Sequence, residues 1–160
     1  MLLCVLQINL ILVGKTTSLN IKAEMDQYMK RLSRYVSFSV HVISSTKKIT
    51  DPEKQKSIES NAINKQIKKE DYVILLDERG QSFSSVDFAA YIEKLQMQSR
   101  KKVVFIIGGA FGVGTEIFQR ADSIVALSKM TFSHQMVRLF FVEQLYRAYT
   151  IINQESYHHE

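Results

Sequence analysis

Gly108-Gly109-Ala110-Phe111-Gly112 follows directly on one apolar run, and Leu127-Ser128-Lys129-Met130-Thr131-Phe132 closes the next, roughly twenty residues on. A turn of glycines or small residues at a strand exit lets a ligand lie against backbone N–H and C=O groups. Open α/β sheets bind ligands at the carboxyl ends of their strands, so these two segments are the first candidates for a site. A helix beginning near His134 brings that histidine and, one turn later, Arg138 to the same place. Arg138 has two readings there: a structural pair, or a phosphate or base contact at the mouth of the site.

Other candidate motifs fall away. Gly14-Lys15-Thr16 resembles the end of a phosphate-binding loop, but position 9 is Asn where that motif needs its first glycine, which leaves a strand-ending turn. Gly109-x-x-Gly112-x-Gly114 follows the fourth strand rather than the first, with no acidic residue closing the next strand, so nicotinamide dinucleotide binding is not expected. The four histidines, His41, His134, His158 and His159, offer no helical ligand pair. Cys4 stands alone in an apolar run, so neither a disulfide nor a metal site is expected. Glu143 and Arg147 are one helical turn apart and read as an ion pair.

The elements that must position these residues follow from periodicity. Buried strands are expected over Leu2–Val13, Phe38–Ile43, Tyr72–Leu76 (ended by Asp77-Glu78-Arg79-Gly80), Val103–Ile107 and Ile124–Leu127. Helices are expected over 19–35, from Pro52 (capped by Asp51) to about Lys69, from Ser84 or Ser85 to about Gln98, near 115–120, and over 134–152. Alternation of strand and helix predicts one α/β domain over residues 1–160, a mostly parallel sheet with helices on both faces. The last helix is apolar almost all round, with Phe140 and Phe141 among its residues, and such a helix needs cover on more than one side. A second copy of the chain is the expected cover, giving a homodimer.

Charge is uneven. Residues 1–69 carry twelve Lys/Arg against five Asp/Glu, and residues 70–160 nine against eleven, so the first half suits a polyanion such as nucleic acid. The apolar opening is too short to span a bilayer and has no basic leader, which points to a cytoplasmic protein without a membrane segment. The final residues, Tyr157-His158-His159-Glu160, read as a polar tail without a core role.

Taken in order, Leu76-Asp-x-x-Gly80, Ser84-Ser85, Ile107-Gly-Gly109, Leu127-Ser-Lys-Met-Thr-Phe132-x-His134, Arg138, Glu143-Gln-x-Tyr-Arg-Ala148 and Tyr157-His158-x-Glu160 resemble the ribosomal RNA large subunit methyltransferase H family. That family belongs to the SPOUT superfamily. The resemblance covers the whole chain, most weakly between residues 15 and 70. It implies a C-terminal trefoil knot, a homodimer, and S-adenosylmethionine-dependent methylation of N3 of a pseudouridine in 23S ribosomal RNA within the ribosome. Cofactor contacts carry over onto Leu76, Gly108, Leu127, Ser128, Lys129, Met130, Thr131 and Phe132. His134, Arg138, Tyr157 and His158 become the candidates for handling the acceptor, with Glu143 and Glu160 as further candidates for taking its proton. Ser133, Gln154 and His159 depart from the family's usual proline, glycine and basic residue. The alternatives are a ribosome-binding protein of this fold without catalysis, or another nucleotide-dependent α/β enzyme.

Overall fold

A computed structural model of the chain describes residues 6–45, 49–98 and 100–159; the expectations for Cys4 and Glu160 lie outside them. The strands are β1 (Gln7–Val13), β2 (Ser37–Ile43), β3 (Tyr72–Ser82), β4 (Lys102–Ile107) and β5 (Ser123–Ala126). They alternate with helices α1 (Leu19–Leu32), α2 (Pro52–Asn64), α3 (Ser85–Met97), α4 (Thr115–Arg120) and α5 (Met136–Ile152). Every strand pairing is parallel, in the order β2-β1-β4-β3-β5.

Side chains on a strand alternate between faces, and here both faces are covered. Ile8, Leu10 and Leu12 of β1 join Phe105 and Ile107 of β4 in a core with α1, α3 and α5. Their neighbours Ile11, Val13, Val104 and Ile106 form a second core with Ile63 of α2 and Ile117 of α4. That is why the central strands read as unbroken apolar runs. The expected helix starts are present: Asp51 accepts from the Glu53 N–H with Pro52 at the first helical position, and Ser84 accepts from the Asp87 N–H.

Three expectations are corrected. First, α5 packs between α1 and α3, so most of its apolar circumference is covered within one chain. Phe141 is fully buried with its ring 4.7 Å from that of Phe105, so it is a core residue; Phe140 and Met136 are the ones left exposed. Second, β3 does not end at Asp77. Residues 77–80 bulge out and the strand then resumes, so that both Leu76 and Gln81 fall opposite Val125 of β5. The bulge pushes Asp77 and Glu78 over the carboxyl edge. Third, the tail has a packing role. The Tyr157 ring lies 4.9 Å from that of Tyr146, and its hydroxyl is 3.2 Å from both Glu143 Oε1 and Tyr28 Oη.

Candidate functional site

From β3 the chain returns to β4 on one side, whereas from β4 it proceeds to β5 on the other side of β3. Connections that leave adjacent strands in opposite directions open a crevice at their carboxyl ends. A cavity of about 300 Å³ occupies this position, lined by Leu76–Glu78, by Ile107–Ala110 with Gly112, and by residues from Leu127 to Val137. Leu76, Gly108, Leu127, Ser128, Met130, Thr131 and Phe132 all line it, as does His134; Lys129 is exposed on the same loop and does not.

The walls are built by short-range geometry. The Gly112 N–H donates to the Gly109 carbonyl at 3.0 Å, and Gly112 has φ +75°, closing a tight turn around Ala110 and Phe111. A Cβ on Gly108 would stand 2.8 Å from the Gly112 carbonyl carbon and 2.9 Å from Val113 Cγ1. Gly108 is therefore required for the turn to fold onto its own strand, quite apart from any approach of a ligand to its backbone. From beneath, buried Ser60 of α2 accepts the Gly114 N–H at 2.7 Å. Its neighbour Glu59, also buried, accepts from Gln55 and Ser45 and packs under Gly109. The opposite wall is held by the Ser128 hydroxyl accepting from the Met130 N–H, and by Ser133 accepting from the Met136 N–H as α5 begins.

Asp77 accepts from Arg79 Nε at 2.7 Å and Nη2 at 3.0 Å. Those hydrogen bonds outweigh burial and hold the Asp77 carboxyl below its ordinary range. Carboxylates on one wall, backbone amides and carbonyls on the others and apolar faces from Leu76, Leu127 and Phe132 give the mixed polar and apolar lining of a small-molecule pocket.

The remaining sequence-derived candidates are spread out. Arg138 is fully buried; it donates to the Val13 carbonyl at 2.6 Å and to Thr16 Oγ1 at 2.9 Å, and its Nε has no partner. Burial without a carboxylate pulls its pKa down. Together with Gln135, which accepts from the Thr17 N–H, it fastens the β1 exit to α5. In this chain it faces inward, toward β1, which favours the structural reading over a contact at the mouth of the site. Tyr157 and His158 gather at the far half of α5, where Arg147 donates to Glu143 at 2.6 Å, lies within 3.2 Å of His158 Nδ1 and sits over the Tyr157 ring. From Val137 at the cavity to Arg147 is about 15 Å along the helix at 1.5 Å per residue. Sequence reasoning missed Tyr28 and the α2 brace altogether; a tyrosine on an amphipathic helix and polar residues on a polar one carry no local signal. Asp77 and Glu78 stood beside Leu76 and could have been found had the bulge been foreseen.

Among the described residues no group of three or more His, Cys, Asp or Glu gathers as for a metal ion, and no helix is long and apolar enough to cross a membrane.

A parallel α/β sheet with a cavity of about 300 Å³ at its β3, β4 and β5 exits has the crevice in which open α/β enzymes hold their ligands. Residues 6–158 match the family described as "Predicted SPOUT methyltransferase". The chain is 47% identical over 154 residues (95% of it, 98% of the relative) to the ribosomal RNA large subunit methyltransferase H of Christiangramia forsetii. It is 43% identical over 158 residues to that of Porphyromonas gingivalis and 41% over 157 residues to that of Parabacteroides distasonis, each spanning 97% of this chain and all of the relative. The chain belongs to the SPOUT methyltransferases and, among them, to the large subunit methyltransferase H family.

Proposed function

We propose that this protein transfers the methyl group of S-adenosylmethionine to N3 of a pseudouridine in 23S ribosomal RNA, acting on ribosomal particles in the cytoplasm. The observation that carries this reading is the cavity at the β3, β4 and β5 exits, lined by seven of the eight residues expected to hold the cofactor. The group fits the residues present: the closed glycine turn exposes backbone at Gly108 and Gly109, Leu76, Leu127, Met130 and Phe132 supply apolar faces, and Asp77 and Glu78 suit ribose hydroxyls and a positive sulfonium. Bound there, S-adenosylmethionine supplies an already activated methyl group, which leaves the protein to align the acceptor and exclude water. The C-terminal trefoil knot belongs to this reading, since it would bring the turns after β4 and β5 against one another.

The acceptor nitrogen must lose a proton. His134 is at the cavity, and histidine titrates closest to neutrality. Tyr157 is pushed well above the ordinary phenol range by burial first and then by the Tyr28 hydrogen bond and Glu143; it stays protonated at neutral pH and serves as a donor or a stacking surface. In our reading Arg138 positions the β1 exit rather than touching RNA. One copy keeps Tyr157 and His158 about 15 Å of helix away from its own cavity, which favours a homodimer in which the tail of one copy serves the cavity of the other. Exposed Met130, Met136, Phe132 and Phe140, the last two with rings 5.0 Å apart, form an apolar surface suited to that contact.

The test is transfer of labelled methyl to ribosomes from a strain lacking the modification, with mapping of the product nucleotide. Label at N3 of a single pseudouridine is expected. Binding to ribosomes without transfer would favour the non-catalytic alternative, and tight dinucleotide binding without S-adenosylmethionine binding would favour another nucleotide-dependent enzyme.

A further inference from the structure

A second groove, of about 490 Å³, lies beside the cofactor cavity, and Gly112 lines both. Two aromatic side chains line it. Phe111 is 51% exposed although it is apolar, and it is carried at the tip of the hydrogen-bonded Gly109–Gly112 turn, which fixes where its side chain leaves the backbone. Phe118 of α4 carries the Arg79 guanidinium 4.4 Å from its ring centre. Arg79 is itself held by Asp77 through Nε and Nη2, leaving Nη1 without a partner among the described residues, on a side chain 68% exposed.

The charges in this groove leave no positive surplus. Lys56 pairs with Glu53 at 2.7 Å, Arg79 is taken up by Asp77, and Glu116 also lines the wall. A phosphate would gain little there. An exposed aromatic face with an oriented guanidinium edge instead suits an uncharged planar group that has hydrogen-bond acceptors, and stacking on aromatic side chains is how unpaired bases are held. The geometry points to this groove as the seat of an RNA base flanking the methylated nucleotide, stacked on Phe111 and receiving a hydrogen bond from Arg79 Nη1. The assignment deepens the reading of ribosomal RNA as substrate and rests on it. Because the Asp77–Arg79 fork joins the two compartments, a base seated in the groove would be in register with the cofactor.

The test measures ribosome binding and methyl transfer separately for Phe111→Ala, Phe111→Leu and Phe111→Trp, together with S-adenosylmethionine affinity and molar mass. Phe111→Ala is expected to raise the ribosome Kd and KM about tenfold or more, the size of one lost base stack, with kcat within about twofold. Cofactor affinity and mass stay unchanged. Trp restores ribosome binding and Leu does not. Unchanged ribosome binding in Phe111→Ala, equal rescue by Leu, weakened cofactor binding or an altered oligomeric state would each overturn the assignment. Ribosome binding that depends on Phe111 without any methyl transfer by the wild-type protein would sink the catalytic reading and leave the groove standing.

Discussion

The two ends of α5 meet two clusters made of different material. At its amino end, Val137 and the residues before the helix face a cavity whose turns are closed by local bonds, Gly112 to Gly109, Met130 to Ser128 and Met136 to Ser133, with Ser60 of α2 bracing one of them. At its carboxyl half, Glu143, Tyr146 and Arg147 meet Tyr28 from α1 and Tyr157 and His158 from the tail through contacts between side chains. The first site is a property of strand exits and of turns that Gly108 allows to close. The second exists only when three separate segments dock, and it can be dismantled without touching the sheet. If the cofactor and the acceptor need different handling, this division is what one would build: rigid backbone for an invariant ligand, and a side-chain cluster for a nucleotide presented by a large particle.

The largest effect is expected where backbone geometry is broken. Gly108→Val places carbon atoms inside van der Waals distance of the Gly112 carbonyl and Val113, so the turn must open. S-adenosylmethionine affinity should fall by more than about a hundredfold, with a lower melting temperature, since overpacking of this kind costs about 1–3 kcal/mol. The tail cluster should be untouched, and tyrosine near-ultraviolet dichroism should change little. Retained affinity by calorimetry would show that the cavity walls do not depend on the turn, and the contrast between the two ends would lose its basis.

Removal of residues 157–160 attacks the other end. Methylation of ribosomes is expected to fall by an order of magnitude or more while S-adenosylmethionine binding persists. Because Tyr157 is packed on Tyr146 and bonded to Glu143 and Tyr28, the truncation should also cost about 1–2 kcal/mol, visible as a loss of several degrees in melting temperature. A truncated enzyme with normal turnover would move the burden of acceptor handling to His134. Weakened cofactor binding would show that the two ends are coupled through α5.

The same contrast explains what could be read in advance. Strand exits announce themselves, because an apolar run ending in Gly108-Gly109 or in Leu127-Ser128 is a local pattern, and the cavity lies there. Caps at Asp51 and Ser84 are local too. What was illegible is non-local. Nothing near Arg138 marks that it will reach across 125 positions to the Val13 carbonyl, and the apolar circumference of α5 cannot say whether sheet, helix or a second copy will cover it. Phe140 and Phe141 look alike in sequence and have opposite fates, exposed and buried. The tail looked unattached because its partner, Tyr28, lies 129 residues away.

The smallest effect sharpens the comparison at its far end. Tyr157 has its phenol pushed up by burial, with Tyr28 and Glu143 adding to it. A folded-state pKa above the ordinary value near 10 means that the folded chain keeps a proton the unfolded chain sheds. The contribution is therefore complete below about pH 10 and is lost as pH rises beyond it, at up to about 1.4 kcal/mol per pH unit for one proton. Tyr35, raised to about 12 by Glu155, and Tyr91, raised to about 12 by burial, act in the same direction, so the wild-type protein should weaken steadily above pH 10. Tyr157→Phe should be slightly less stable than wild type at pH 8, having lost two hydrogen-bond partners, and should close the gap as pH climbs from 10 to 11.5, because its tail carries no phenol to ionise. A gap that stays constant across that range would mean that Tyr157 is solvated. The carboxyl half of α5 would then be a loose surface on which the tail rests, and the difference in construction between the two sites would be far smaller than the packing of Tyr157 on Tyr146 requires.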